Sequence, residues 1–419
     1  MPRLLADVTP IRVSRNFRRL WLAQGVSNVG QQMTAVAVGI QVYAITGSSL
    51  AVGLVGLAQL IPLVGLGLYG GALSDSLDRR RIGMVATAGL AACSVVLVLQ
   101  GALALDSVVL LYAVVAVQSG LFAVGNPARA AIVPRLVDRE LLPAANALSM
   151  VAFNLGFTVG PLLGGAVIAA TGSATWVYVV DVVAFTGTFY AMARLPAMRP
   201  QPLAGQAVQR AGWASVMEGL RFLKGRRNLQ MSFYLDIVAM VFGMPRALFP
   251  AIAADWYGGD PRAVAVIVGL LSASPAIGAV LIGVLSGPLT QVRRQGVVIV
   301  IAVLVWGASI AAFGLVRWLP AALILLAVAG AADNVSAVFR STMLQAAAPD
   351  HYRGRLQGIF TVVVAGGPRL GDVEAGAVAA VAGEGFSVVS GGLACIACTL
   401  GLVAWSRDFL AYDGAHPVP

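Results

Sequence analysis

The segment GALSDSLDRRR, Gly71 to Arg81, ends a long apolar run with two aspartates and three consecutive arginines. Only 11% of the residues in the chain are charged, yet five charges fall in this one short stretch. Half a chain later GVLSGPLTQVRR, Gly283 to Arg294, repeats the outline: an apolar run, a glycine and a closing pair of arginines. Both segments mark boundaries, because what lies on either side of them is apolar enough to dissolve in hydrocarbon.

Of the 419 residues, 59% are hydrophobic, and the mean hydropathy is +0.86. Soluble domains carry roughly 25% charged residues, so the composition excludes an ordinary soluble globule. A helix that crosses the roughly 30 Å hydrocarbon core needs about 20 mostly apolar residues. Twelve segments qualify: 20–45, 51–74, 83–104, 107–127, 143–170, 175–194, 230–253, 263–289, 297–316, 320–343, 357–381 and 386–405. Their apolar content is all-round, as expected of helices surrounded by lipid and by one another. Barrel strands of about ten residues with alternating polarity are not seen. The predicted class is an all-α integral membrane protein.

With the N-terminus in the cytoplasm, 24 of the 28 Lys and Arg residues fall in cytoplasmic segments, leaving Arg262 and Arg317 outside and Arg246 and Arg369 within spans. The positive-inside rule therefore puts both termini in the cytoplasm of a multi-pass inner-membrane protein. The formal charge of +10 is accounted for by this topology and by anionic lipid, not by nucleic acid, since no loop is long enough to fold an aqueous binding domain. No cleavage pattern follows the arginine-rich Met1 to Arg19 stretch, so the first span is read as uncleaved.

The longest loop, 195–229, opens with Pro196, Pro200 and Pro202 and then runs WASVMEGLRFLKGRRN. There Trp213, Val216, Met217, Leu220 and Leu223 recur at helical spacing beside Arg221, Lys224, Arg226 and Arg227. An interfacial amphipathic helix tethering two halves is predicted. Gly71 and Gly283 are matched by a second pair, the arginines of ARAAIV (Arg129) and FRSTML (Arg340), at nearly the same offset. Two such echoes imply duplication of a six-helix unit, and an even number of helices gives parallel repeats related by an axis along the membrane normal. The expected organisation is a six-helix bundle over 1–194, a linker over 195–229 and a second six-helix bundle over 230–419.

Over essentially its whole length the chain resembles the major facilitator superfamily. Gly71, Asp75, Asp78, Arg79, Arg80 and Arg81 are similar to that family's signature between its second and third helices, with Ser76 where arginine is usual. The resemblance implies that Asp75 engages an arginine near the end of the fourth helix, here Arg129, and that the group acts as a conformational latch. The second copy has Gly287 in place of the aspartate, which implies a weaker latch. Within the superfamily, NPARAAIVPRLVDRELLPAANAL (Asn126 to Leu148), RSTMLQAAAPDHYRGRLQG (Arg340 to Gly358) and GPLLGG (Gly160, Pro161, Gly164 and Gly165) resemble the enterobactin-exporter branch and related actinobacterial efflux proteins. In physical terms GPLLGG also reads as a tight helix contact with a small bend.

A phosphate-binding Walker loop needs Gly-Lys followed by Ser or Thr, and the only lysine, Lys224, stands between Leu223 and Gly225. This excludes ATP hydrolysis by such a site in this chain and leaves an ion gradient or facilitated diffusion. Charged residues within spans then carry most of the functional signal, at roughly 2.5–3.5 kcal/mol each near the bilayer centre. They are Asp181, Asp236, Arg246, Asp333, Arg369, Asp372 and Glu374. By depth, Arg246 meets Asp372 or Glu374, and Arg369 and Asp372 share one helical face. Two readings stand for this cluster: proton exchange at Glu374 or Asp372, or a permanent ion-pair network. Asp236 and Asp333, with Arg340, are candidates for a proton or a cationic substrate, or for structural hydrogen bonding. The first span offers Gln24, Asn28, Gln31 and Gln32 as polar cavity residues but no acid.

Cys395 and Cys398 have redox spacing inside an apolar helix and read as core. No metal cluster, cofactor motif or catalytic constellation is present, so neither a metal, a cofactor nor an enzyme activity is expected. The reading that follows is a monomeric secondary transporter that works by alternating access, a proton-coupled exporter of a siderophore or an amphiphilic drug. An importer or facilitator on the same fold, or a receptor or scaffold without transport, remains open.

Overall fold

The computed structural model describes residues 7–198, 217–218, 221–285, 292–347 and 350–414; within these, the side chains of 68–76, 350–355, 357, 358 and 361 are not described. In chain order the helices are α1 (Thr9–Val13), α2 (Arg15–Thr46), α3 (Ser49–Ser76), α4 (Arg79–Ala102), α5 (Val108–Ile132), α6 (Leu142–Thr171) and α7 (Thr175–Ala193). The second half continues with α8 (Arg227–Phe242), α9 (Phe249–Tyr257), α10 (Pro261–Val284), α11 (Gln295–Leu315), α12 (Leu319–Ala347), α13 (Asp350–Ala382) and α14 (Glu384–Trp405). Among the described residues there is no strand, only an isolated bridge between Arg294 and Asp413.

Ten helical spans of the described residues are long and apolar enough to cross a membrane, with α8 and α9 counted together as Arg227–Tyr257. α2 and α13, of 32 and 33 residues, bring the number of membrane-length elements to twelve. Their lower apolarity has a visible source in the Gln, Asn and Ser of α2 and in the Arg369, Asp372 and Glu374 group of α13.

Helix ends follow local chemistry. Asp78 caps α4 by accepting from the Arg80 amide (3.0 Å), and Ser107 caps α5 by accepting from Leu110 (3.3 Å). Gly172, at φ +74°, closes α6, a backbone shape that L side chains avoid. Prolines fall at corresponding places in the two halves: Pro62 of α3 and Pro275 of α10, Pro161 of α6 and Pro368 of α13.

The seventh span corrects the expectation of one continuous helix over 230–253. α8 stops at Phe242, Arg246–Leu248 form a 3-10 turn, and α9 restarts at Phe249. Pro245 has no N–H to give the carbonyl four residues earlier, and its ring crowds that carbonyl. Gly243 sits so close to the Trp306 indole that a Cβ there would collide with it.

By contacts the chain divides into two compact units. The first comprises Met1–Gln41 and Ala58–Gly212, and the second Val42–Leu57 and Trp213–Pro419. In the first, α4 packs on α5 and α7, and Leu20, Ile132, Met192, Leu195 and Met198 form a buried cluster. Gly156, Gly160 and Gly164, four residues apart, lie on one face of α6 and meet Asn28, Gln32 and Met33 of α2. A Cβ on Gly160 would stand 2.9 Å from the Val29 carbonyl, so the two backbones are nearly in contact. In the second unit α10 packs on α12 and α11 on α14 by the same means, Gly278 against the Ala327 carbonyl and Gly307 against Gly392.

Candidate functional site

The second unit holds a buried charge cluster of three residues on two helices. Asp236 comes from α8 and Asp333 and Arg340 from α12, where a separation of seven residues puts them on one face two turns apart. The Arg340 guanidinium forms a close ion pair through Nη1 with Asp236 Oδ1, holds Asp333 Oδ1 at 3.8 Å from Nη2, and donates from Nε to the Ser336 carbonyl at 3.3 Å. Arg340 and Asp236 are almost fully buried, whereas the Asp333 side chain is 36% exposed. A buried ion pair persists only where the two charges satisfy each other closely, and the Arg340–Asp236 contact does so. Asp333 is held more loosely, beyond hydrogen-bond range, so a proton or a cation can compete with Arg340 for it.

Beside this cluster is a cavity of about 400 Å³, lined by Asp236, Asp333, Arg340, Met240, Phe360 and Val364 among others. It combines an apolar wall with convergent charged groups, the usual make-up of a small-molecule site. A larger cavity of about 980 Å³ in the first unit is mostly apolar, with Asp78 and Arg81 among its lining residues. It contains none of the buried charges.

A second cluster forms where the seventh span breaks. The turn exposes Arg246, whose Nη2 lies 3.2 Å from Asp372 Oδ2 on α13. Arg369 donates to the Ala365 carbonyl, capping its own helix turn. Glu374 is half-buried and makes no ion pair among the described residues. The structure therefore joins Arg246 to Asp372 and not to Glu374. The same stretch of α13 is clasped by the start of α3: a Cβ on Gly53 would strike the Asp372 carbonyl, and one on Gly56 would stand 2.9 Å from the Arg369 carbonyl. A Cβ on Gly376 would in turn lie 2.8 Å from the Ser49 carbonyl, and Ser49 Oγ donates to Glu384 Oε1 at 2.9 Å. Sequence reading missed Gly53, Gly56 and Gly376, which stand out only as small residues at three- and four-residue spacing.

The arginine-rich segment has a structural share of its own. Asp78 Oδ1 also accepts from the Met198 amide (3.1 Å), and Arg80 donates from Nη2 to the Ala193 carbonyl (2.6 Å) and from Nε to that of Met192 (3.2 Å). Together they tie the start of α4 to the end of α7. Arg79 reaches the Ala131 carbonyl at 3.4 Å, and Arg81 is exposed. Gly71 and Asp75 lie on α3, but the side chain of Asp75 is outside the described ones. The expected contact of Asp75 with Arg129 is therefore outside them too, as is Gly287 of the second copy. Arg129 stacks over the Phe122 ring at 5.6 Å.

Gly160, Pro161, Gly164 and Gly165 are buried on the α6 face described above. Asn28 and Gln32 contact that face through their Cβ atoms, and Gln24, Asn28, Gln31 and Gln32 are half-buried. Most of the expected amphipathic helix, 199–216 and 219–220, lies outside the described residues; Phe222 and Leu223 are buried. Among the described residues no group of three or more His, Cys, Asp or Glu is placed to hold a metal ion.

Comparison with known proteins agrees with this architecture. Residues 6–409 match a family described as transmembrane secretion effector. The enterobactin exporter EntS of Citrobacter koseri is 28% identical over 417 residues, covering 99% of this chain and 97% of the relative. EntS of Shigella boydii is 29% identical over 379 residues, covering 90% and 88%. Among solved structures, the nucleoside transporter NupG aligns with a TM-score of 0.71 at 14% identity, covering 94% of this chain and 98% of that one. A peptide transporter POT in complex with sulfate aligns at 0.73 and 12%, covering 95% of each. At such identities the structures speak to the fold alone.

Proposed function

The chain belongs to the transmembrane secretion effector family of major facilitator transporters, and on that footing we propose that it is a proton-coupled exporter of a small siderophore-like or amphiphilic molecule, working by alternating access in a cytoplasmic membrane with both termini inside. Near-full-length similarity to enterobactin exporters supports the direction and the cargo class.

The observation that carries the coupling is the Arg340–Asp236–Asp333 cluster at the cavity. Two carboxylates share one guanidinium; Asp236 neutralises it and Asp333, half-open to the cavity, is the group that exchanges. When Asp333 takes a proton, the cluster loses its surplus negative charge and its hold on a cationic or hydrogen-bond-donating cargo. When the proton leaves, the charge and the hold return. This is the alternation an antiporter requires: cargo and proton compete for one carboxylate. Asp372 with Arg246 serves as a second charged contact that must open and close with the cycle, and the segment Gly71 to Arg81 with Arg129 biases which side is open.

The test is flux in proteoliposomes under an imposed proton gradient, with a catecholate siderophore and a cationic amphiphile offered separately. The wild-type protein should move one of them in a gradient-dependent way. Asp333→Asn, fixed in the neutral state, should bind the cargo weakly at every pH and lose the response to the gradient. Gradient-driven flux unchanged in Asp333→Asn would remove Asp333 from the coupling step.

A further inference from the structure

One buried carboxyl takes no part in either cluster. Asp181, in the middle of α7, has no solvent exposure. The first unit encloses it between three helices. Ser94 Oγ of α4 donates to Asp181 Oδ2 at 2.7 Å, and Gly30 of α2 approaches so closely that a Cβ there would stand 2.7 Å from Asp181 Oδ1. Thr34, one turn on from Gly30, faces the same carboxyl. The absence of a side chain at Gly30 is what makes room for the carboxyl.

Among the described residues no cation lies in this chamber. On α2 the ionisable residues are Arg15, Arg18, Arg19 and Tyr43, on α4 Arg79, Arg80, Arg81 and Cys93, and on α7 Tyr178 and Tyr190; α6 has none. By helical rise Arg19 lies about 16 Å from Gly30 and Arg81 about 20 Å from Ser94. Tyr178 is occupied, donating to Gln41 Oε1 at 2.7 Å. Among the described residues Asp181 has no ion pair. An ionised carboxylate sealed in an apolar interior without a countercharge is far costlier than its neutral acid.

Hydrogen counting points the same way. Asp181 Oδ1 and Thr34 Oγ1 are both buried and make no standard hydrogen bond among the described residues. Ser94 Oγ lies within reach of two acceptors, Asp181 Oδ2 at 2.7 Å and the Leu90 carbonyl at 3.1 Å, but has a single proton to give. One extra proton on the carboxyl supplies the missing donor. Four oxygens, two from a carboxyl and two from hydroxyls, would fill out neither the six or more ligands nor the charge that a hard metal cation requires.

We propose that Asp181 is an occluded proton-binding site of the first unit: in this conformation its carboxyl is the neutral acid, hydrogen-bonded to Ser94 and facing Thr34, and it can exchange its proton only when α2 or α4 parts from α7. The proposal does not depend on which cargo is carried, nor on Asp333.

Infrared difference spectroscopy of the reconstituted full chain tests it without any transport measurement. The wild type should show a carboxylic-acid C=O band, shifted in D2O, that is missing in Asp181→Asn and displaced in Ser94→Ala, where one hydrogen bond is lost. Because the folded protein would hold a proton that the unfolded chain releases at neutral pH, wild-type melting temperature should fall as pH rises, and Asp181→Asn should flatten that dependence. If Asp181→Asn does not fold, the Ser94→Ala band shift decides alone. Loss of a carboxylate band instead of an acid band in Asp181→Asn, no shift in Ser94→Ala, or a band that responds to sodium and not to pH would each overturn the proposal.

Discussion

Arg246 lies 3.2 Å from Asp372, two residues 126 positions apart in sequence, because the seventh span breaks at Gly243 to Pro245 and turns its arginine toward α13. Without the break, Arg246 would continue the α8 face and not enter a turn. With Arg246 44% exposed, the pair should contribute at most about 1 kcal/mol. Arg246→Asp and Asp372→Arg should each lower the melting temperature in detergent, and the double exchange should recover most of the loss. Glu374→Gln should leave both melting temperature and the pH dependence of flux at wild-type values.

Burial makes the Arg340 pair behave differently. Arg340→Met strands Asp236 in the interior, at a cost of about 3–5 kcal/mol. Arg340→Met combined with Asp236→Leu should regain most of that stability in thermal unfolding while remaining inactive in flux. Asp333→Asn, at a half-open position, should barely change stability.

Gly53→Ala separates close packing from helix propensity. Alanine in a helix interior is normally stabilising by up to about 1 kcal/mol relative to glycine, and at Gly65, where nothing lies within 4 Å of a Cβ, that gain should appear. At Gly53 the added methyl meets a backbone carbonyl that has no room to yield. The prediction is a raised or unchanged melting temperature for Gly65→Ala and a lowered one, with reduced flux, for Gly53→Ala.

Asp78 and Arg80 bond to the same corner of the first unit. Asp78→Ala should cost about 1 kcal/mol as a lost cap, and Arg80→Ala a similar amount through the carbonyls of Met192 and Ala193. Arg81→Ala, at an exposed position, should leave the melting temperature unchanged. A double-mutant cycle of Asp78 and Arg80 should be nearly additive, since Asp78 accepts from the Arg80 backbone amide, which Arg80→Ala retains.

Much of the architecture was legible from hydropathy, because crossing a bilayer demands long apolar helices and basic loops. The Arg246–Asp372 encounter was legible too, since depth along a helix follows from counting residues. Joining Asp236 to Arg340 was beyond such counting: spans that are apolar all round give no rotational phase, so the face each residue presents could not be read. The break at Gly243 to Pro245 was hidden for a related reason, its Gly and Pro being embedded in a span whose overall hydropathy stays high on both sides. Gly156 and Gly53 were lost among 48 glycines, since closeness depends on what stands opposite.

The interrupted seventh span also gives the protein an electrical property. Two helix ends and a guanidinium–carboxylate pair sit within the thickness across which the membrane potential drops. Moving one elementary charge through that whole field is worth about 2.3 kcal/mol per 100 mV. A step that slid Arg246 past Asp372 along the membrane normal would therefore move charge through part of that field, whichever ion binds elsewhere.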